Sequence, residues 1–487
     1  MKDKFRYLEQ KDRKKILLLC DDIRMHSGVA TMAREIVVGS AHHFNWLNVG
    51  GAVKHPDHGK GFDISDEVNN ITGINDASVK VLGNTGYGDS MLVRKLLKEE
   101  KPDAILIFTD PRYWSWLFDM EREIRTKIPI FYLNIWDDYP SPLYNRGYYR
   151  SVDLLMAISK QTKNINELVL GDYAEDKIIE YVPHGINEDF FFPIDENYEA
   201  FDKFKDFKKD LFKGKEIDFV VFWNSRNIHR KRPADVVLSY RMFCDMIGEE
   251  KAKKCALIMH TQPSDNNGTD LHAVKEALCD PSYVNVYFSA DPLQTAQMNL
   301  LYNVADVTML ISSNEGWGLS LTESMMAGKM ILLNVTGGMQ DQARFEDNNG
   351  KWIDFDANFP SNHRRTFTKC GEWAAAVFPS NLSIAGSPAT PYIYDDRCSP
   401  EDVAAALKWV YELGPEERER RGLKGREWVL SKESNMSAQN MANRVIECCD
   451  KAFENFTPRN SYELIETGPR PVNYVKHKLI DYTYSYE

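Results

Sequence analysis

From residue 15 onward the chain repeats one pattern: a short uninterrupted apolar run, then a stretch with helical spacing. The runs are "KILLLC", "FNWLNVGGA", "VKVLG", "DAILIF", "IPIFYLNI" and "DLLMAIS", and the helical stretches include "SGVATMAREIVV", "SMLVRKLLKEE" and "KQTKNINELVL". A run that is apolar at every position, not every second one, predicts a strand buried on both faces, as in a parallel sheet covered by helices. After the charged stretch "FDKFKDFKKDLFKGKE" (201–216) the pattern restarts with "DFVVFWN", the helix "PADVVLSYRMFCDMI", then "CALIMH", "VNVYFS", "VTMLISS" and "MILLNV". Pro233 suits the first turn of that helix. Two βα series predict two doubly wound α/β domains, a first of 1–200 and a second of 201–456, with the boundary within 195–216. Residues 356–399 are rich in Pro, Ser and Thr and predict an extended loop or lid. Helices resume after it, and the aromatic and basic tail 457–487 is a candidate to pack back on the first domain.

Composition narrows the class. The 487 residues exceed one core. An apolar content of 43% is globular. The formal net charge of −12 repels nucleic acid unless a local basic groove overrides it. Eight cysteines are scattered with no CxxC pair, which reads as reduced thiols in a cytoplasmic protein. The charged N-terminus has no apolar segment of a signal peptide, and no apolar run approaches the ~20 residues of a membrane span, so no membrane insertion is expected.

Two facing α/β domains place the carboxyl ends of their strands on a shared cleft. "CDDIRMHSGVATM", "WNSRNIHRKRP" and "NEGWGLSLTE" all follow strands and fall there. In the last, Gly316 and Gly318 let backbone approach a ligand, and a helix start offers N–H groups to a phosphate. Glu315 and Glu323 flanking it would repel a diphosphate, so they must accept from hydroxyls, with cations supplied by Arg226, Arg230, Lys231 and Arg232. Hydroxyls at both ends and a diphosphate between describe a nucleotide sugar.

"SRNIHRKRP", "YVPHGINEDFFFP" (181–193), "LYNVADVTMLISSNEGWGLSLTESMMAGKMILLNVTGG" (301–338) and "EERERRGLKGREWV" (416–429) resemble, in order and spacing across roughly 15–450, the retaining glycosyltransferases of GT-B fold close to family 4. The resemblance implies two Rossmann-like domains around a central cleft, the second binding the donor and the first the acceptor. It implies that Glu315 holds donor-sugar hydroxyls, with backbone N–H groups from Gly316, Trp317, Gly318 and Leu319. Glu323 would bind the ribose, Arg226 and Lys231 would clamp the diphosphate, and Ser27, Gly28 and Val29 would face the phosphates and sugar. No cofactor and no metal are implied; the co-substrate is a nucleotide sugar, UDP-linked by preference. One departure stands out: where many relatives end a strand in His-Asp, this chain has Trp136 and Asp137. Asp137, or a histidine from elsewhere such as His26, is then the candidate beside the reacting carbon.

Each feature has a plainer counterpart. Two glutamates at a helix start are ordinary capping chemistry, a basic run is commonly surface, and His184 in "VPHGIN" is as well explained as a turn residue. Trp317 has packing as its plainer reading. No GxGxxG follows the first strand, so a dinucleotide fingerprint is absent. The whole-chain texture is similar to glycosyltransferases of tailed bacteriophages, which makes 5-hydroxymethylcytosine in duplex DNA an acceptor candidate; the basic N-terminal arm, "HRRTFTK" (363–369), and Lys476 and Lys478 are the pieces that would meet it. A glycan, lipid or protein acceptor, or a non-catalytic nucleotide-sugar binder, are the alternatives.

Overall fold

The computed structural model describes residues 7–460. The first sheet has eight strands: β1 (Lys14–Asp21), β2 (Phe44–Ala52), β3 (Gly61–Asp63), β4 (Val79–Thr85), β5 (Ala104–Phe108), β6 (Ile130–Asn134), β7 (Leu154–Ala157) and β8 (Ile178–Tyr181). Their order is β3-β4-β2-β1-β5-β6-β7-β8, parallel throughout except for β3. The second sheet holds β9 (Phe219–Asn224), β10 (Cys255–His260), β11 (Val286–Ser289), β12 (Val307–Leu310), β13 (Met330–Asn334) and β14 (Ala374–Val377), in the all-parallel order β11-β10-β9-β12-β13-β14.

The apolar runs do what their pattern requires. In β1, Leu17 and Leu19 point into one core cluster, and Ile16, Leu18 and Cys20 into another. In β9, Phe219, Val221 and Trp223 face one side while Val220 and Phe222 face the other. Successive side chains alternate faces, so only helices on both sides can bury such strands.

Two expectations need correction. The stretch 356–399 is not simply a loop: β14 adds an edge strand to the second sheet, and β15 (Asn381–Ser387) and β16 (Thr390–Arg397) form an antiparallel hairpin. Ala375 and Val377 bury into the core, and Trp373, just before β14, stacks on Trp428 with centroids 5.1 Å apart. The hairpin reaches the first domain, where Tyr394 N donates to Tyr139 O at 2.7 Å and Tyr144 Oη to Tyr392 O at 3.0 Å. The last helix, Ala438–Asn455, falls within the 201–456 expected for the second domain but packs on helix Gly28–Ser40 of the first. A Cβ on Gly39 would lie 2.6 Å from Ala442 Cβ, so the two helices touch through a residue without a side chain. Just before it, Ile186 N donates to Met436 O at 3.0 Å and Ala438 N to Ile186 O at 3.1 Å, which lays the returning chain against the outgoing one. Of the tail, only 457–460 is described; there Arg459 N donates to Arg125 O at 2.8 Å on the first domain, and the rest lies outside the described residues.

The halves also meet through side chains. Asp341 of the second accepts from Lys160 N at 2.9 Å and Tyr181 Oη at 3.0 Å of the first. Thr336 Oγ1 lies 3.3 Å from Asp138 and 2.7 Å from Asp396, a buried carboxyl pair in which burial lifts both groups, Asp396 to about 6. All eight cysteines are free of disulfides. Among the described residues, no helix is long and apolar enough to cross a membrane.

Candidate functional site

Between the halves, at the carboxyl ends of β1, β5, β9 and β12, lies a cavity of about 710 Å³. Most residues singled out in the sequence line it: Ser27, Gly28 and Val29, Asp137, Arg226, Arg230 and Lys231, Glu315, Gly316, Trp317, Gly318, Leu319 and Glu323. Arg232 does not, because its guanidinium turns to Asp395 at 2.5 Å.

The first-domain wall is a helix start. Ser27 caps helix Gly28–Ser40 by accepting from Ala30 N at 3.0 Å, and its hydroxyl donates to Asp21 Oδ2 at 2.5 Å. Asp21 is also bound by Tyr87 Oη at 2.8 Å, so the loop that presents Gly28 is tied at its base. A Cβ on Gly28 would stand 3.2 Å from Leu319 Cδ1, and one on Gly316 only 2.8 Å from Ile135 O. These glycines let the halves approach.

The second-domain wall is built by 311–318, between β12 and helix Leu319–Met326. Gly318 opens that helix with φ +92°, a conformation that suits glycine. Beneath it Gly338 N donates to Glu315 O at 3.0 Å, and Gly337, at φ +52°, leaves no room for a Cβ, which would fall 2.1 Å from Glu315 O. Glu315 is thereby fixed from below.

Charge is concentrated on this carboxylate. Lys231 Nζ binds Glu315 Oε2, and Arg230 Nη1 lies 3.2 Å from the same oxygen. Burial alone would lift Glu315, but the two cations outweigh it and hold the carboxyl down at about 2. Burial also lowers Lys231, to about 8, with Glu315 pulling the other way, so at neutral pH both partners are ionised. Glu323 has no cation beside it among the described residues: burial lifts it to about 7, against its hydrogen bond from Tyr302 Oη. Tyr302 Oη in turn accepts from Asn224 Nδ2 at 2.9 Å. Asp137 is raised by burial, opposed by Arg230 and reinforced by Glu315.

Other placements are less direct. Arg226 lines the cavity but binds Asp265 at 2.9 Å and is two-thirds exposed, so Arg230 is the guanidinium nearest Lys231's partner, a distinction the run "SRNIHRKR" does not reveal. Trp317 is 2% exposed, donates to Thr322 Oγ1 at 3.0 Å, and serves packing as well as lining. Trp136 turns away from the cavity into the first-domain core, with Nε1 donating to Asp138 O at 2.7 Å. Three histidines do line the cavity, His26, His184 and His260. His184 sits between Phe108 and Trp317, and burial lowers it to about 3, which makes it a neutral imidazole. Tyr302, which holds Glu323, is the residue the sequence does not reveal; spacing of acidic and basic groups does not point to it. Among the described residues, no group of three His, Cys, Asp or Glu side chains is arranged to hold a metal ion.

Residues 290–358, which contain the Glu315–Glu323 segment, match the family model described as glycosyl transferases group 1. No curated protein sequence matches the chain. Among solved structures, the chain is similar to a sucrose-phosphate synthase from Thermosynechococcus elongatus (TM-score 0.62, 13% identity, 91% of this chain and 100% of that one). It is also similar to HepE of Anabaena in complex with UDP and glucose (0.60, 12%, 90% and 100%). A third is a glycosyltransferase from Rickettsia africae (0.59, 16%, 91% and 100%). The architecture is the GT-B fold, two parallel-sheet α/β domains about a cleft.

Proposed function

We propose that the chain is a retaining glycosyltransferase that takes a sugar from a nucleotide-diphosphate donor, UDP-linked by preference, and passes it to a hydroxyl without a catalytic metal. The observation that carries this reading is convergence: two glutamates with seven residues between them and a half-buried lysine and arginine meet in one cavity between two α/β domains. The family match over the same segment and the UDP in the HepE complex support it.

In this reading Glu323 accepts from the ribose hydroxyls and Glu315 from those of the sugar. Lys231 and Arg230, already charged and held on Glu315, share their charge with the incoming diphosphate, and Arg226 meets it from the rim. The acceptor hydroxyl attacks the anomeric carbon on the face the diphosphate leaves. The bond from that carbon to the phosphate oxygen breaks, its electron pair stays on the phosphate, and a phosphate oxygen takes the acceptor's proton. The protein's part is orientation and stabilisation of the charge that develops on the leaving group. Asp137 and neutral His184 orient the sugar from the first-domain side.

For the acceptor we propose 5-hydroxymethylcytosine in duplex DNA. The exposed segment around Arg365 favours it; the N-terminal arm, Lys476 and Lys478 lie outside the described residues. Incubating the chain with UDP-sugars and hydroxymethylated or unmodified DNA, followed by nucleoside mass spectrometry, tests donor and acceptor together. A mass gain of one sugar only on the hydroxymethylated base is expected, with affinity falling steeply as salt rises. UDP release without acceptor-dependent product would remove the transferase reading, and transfer to glycans but not DNA would remove the acceptor.

A further inference from the structure

A second cavity, of about 390 Å³, opens at the seam between the halves and shares no lining residue with the first. That size is within the range of small-molecule sites. Tyr139 and Pro140 form its first-domain wall; Phe359, His363 and Arg364 from the second domain and Tyr394 from β16 are among the residues opposite. The two cavities lie on either side of one short segment, since Ile135 and Asp137 line the first and Tyr139 and Pro140 the second.

The chemistry of the walls is selective. Among the described residues, no carboxylate lines the cavity. Arg364 is exposed and has no ion pair among the described residues. His363 Nε2 is buried without a hydrogen-bond partner among the described residues. Tyr139 Oη accepts from Asn164 Nδ2 at 2.7 Å, which leaves its own proton to donate. The tyrosine, phenylalanine and proline faces suit a flat base or the C–H face of a sugar. A cation would find no counter-charge there, and a hydrocarbon would leave His363 and Arg364 unserved.

A hydrogen-bond chain joins this cavity to the donor side. Gln340 Nε2 donates to Ser361 Oγ at 3.1 Å and to Gln161 Oε1 at 2.7 Å, and Gln161 Nε2 donates to Asp137 O at 3.1 Å. The ends of that chain, Ser361 and Asp137, each line one cavity. We infer that the seam cavity is a second ligand site, for a monophosphorylated ring compound held by Arg364, His363 and the Tyr139 and Tyr394 rings, whose occupancy alters donor binding through Gln340 and Gln161. Sugar phosphates and nucleoside monophosphates share this chemistry.

Calorimetry on the full chain tests it, with saturating UDP present and glucose 6-phosphate, AMP, glucose, adenosine and inorganic phosphate as titrants. Saturable binding of glucose 6-phosphate or of AMP is expected, and whichever binds identifies the source. Arg364→Ala should weaken it at least tenfold, and Thr366→Trp, from an exposed position on the rim, should block it. Saturating the seam site should change UDP affinity about fivefold or more in the wild type and not in Arg364→Ala, because coupling between two sites is reciprocal. Failure of both phosphorylated titrants to bind, equal binding of inorganic phosphate alone, displacement by UDP, or indifference to Arg364→Ala would overturn the site. Binding that leaves UDP affinity unmoved would overturn the coupling. The coupling rests on the donor-site reading, whereas seam binding does not. Loss of UDP binding with seam binding intact would therefore sink only that earlier reading.

Discussion

Replacing Glu323 by glutamine separates what its carboxylate costs the fold from what it gives the ligand. Burial lifts the group from an ordinary 4.5 to about 7, against the single hydrogen bond from Tyr302. Between those values the folded chain binds more protons than the unfolded one, so stability falls as pH rises across that window, and the full cost is present above pH 7. At about 1.4 kcal/mol for each tenfold change in proton affinity, the rise amounts to roughly 3 kcal/mol. Glutamine keeps an acceptor for Tyr302 and carries no charge. Glu323→Gln should therefore melt roughly 3 °C higher than wild type at pH 8 and nearly level with it at pH 4.5. Its UDP affinity should move the other way. A hydrogen bond to a charged group is worth about 1.5–3 kcal/mol, so the variant should bind UDP about 10- to 100-fold more weakly at pH 8. Wild-type affinity should rise between pH 6 and 8 as Glu323 ionises. Because the nucleotide's own phosphate titrates near pH 6, the informative quantity is the wild-type pH slope minus the variant's, measured by calorimetry beside differential scanning fluorimetry. Equal slopes, or a variant no more stable at pH 8, would refute the argument.

Lys231→Ala removes a half-buried cation from Glu315 and should lower turnover about 100-fold, read from UDP release at saturating donor; Arg226→Ala, on the rim, tests the outer half of the same clamp. Gly337→Ala places a methyl 2.1 Å from Glu315 O at a left-handed backbone position, so it should cost about 2 kcal/mol of stability and displace the Glu315 segment, with UDP affinity and melting temperature falling together. Asp396→Asn should raise the melting temperature at pH 8 and leave it unchanged near pH 4, because burial makes the ionised carboxyl costly beside Asp138 and an amide stays neutral.

The strands with both faces apolar were legible because period and burial coincide there: β1, β5, β6, β9, β10 and β13 all appear where their runs lie. Others had no such signal. β8 is the half-buried "IIEY", and β14 is "AAAV", whose alanines favour helix on propensity alone and become a strand only because β13 offers an edge. The hairpin β15–β16 lay hidden in a stretch rich in turn-formers, and its first strand is exposed throughout, so it has no apolar alternation to read. The glutamate pair was visible from its spacing and its glycines. The partner assignments were not, because choosing Arg230 over Arg226 as Glu315's neighbour depends on how a three-residue turn at His229–Lys231 aims its side chains. The destination of helix Ala438–Asn455 was equally unreadable: its amphipathic stripe announces a helix but does not name the surface it will cover.

That last helix has a mechanical consequence. The polypeptide crosses from one half to the other and later crosses back, and the two passages lie side by side, joined where Ile186 meets Met436 and Ala438. Two neighbouring tethers resist sliding and twisting far more than they resist bending. Relative movement is thus channelled into rotation about a line through the pair, so the gap opposite widens like the pages of a book while the spine hardly shifts. Arg230, Lys231 and Glu315 travel together on one page, which lets the charged grip stay assembled through each opening.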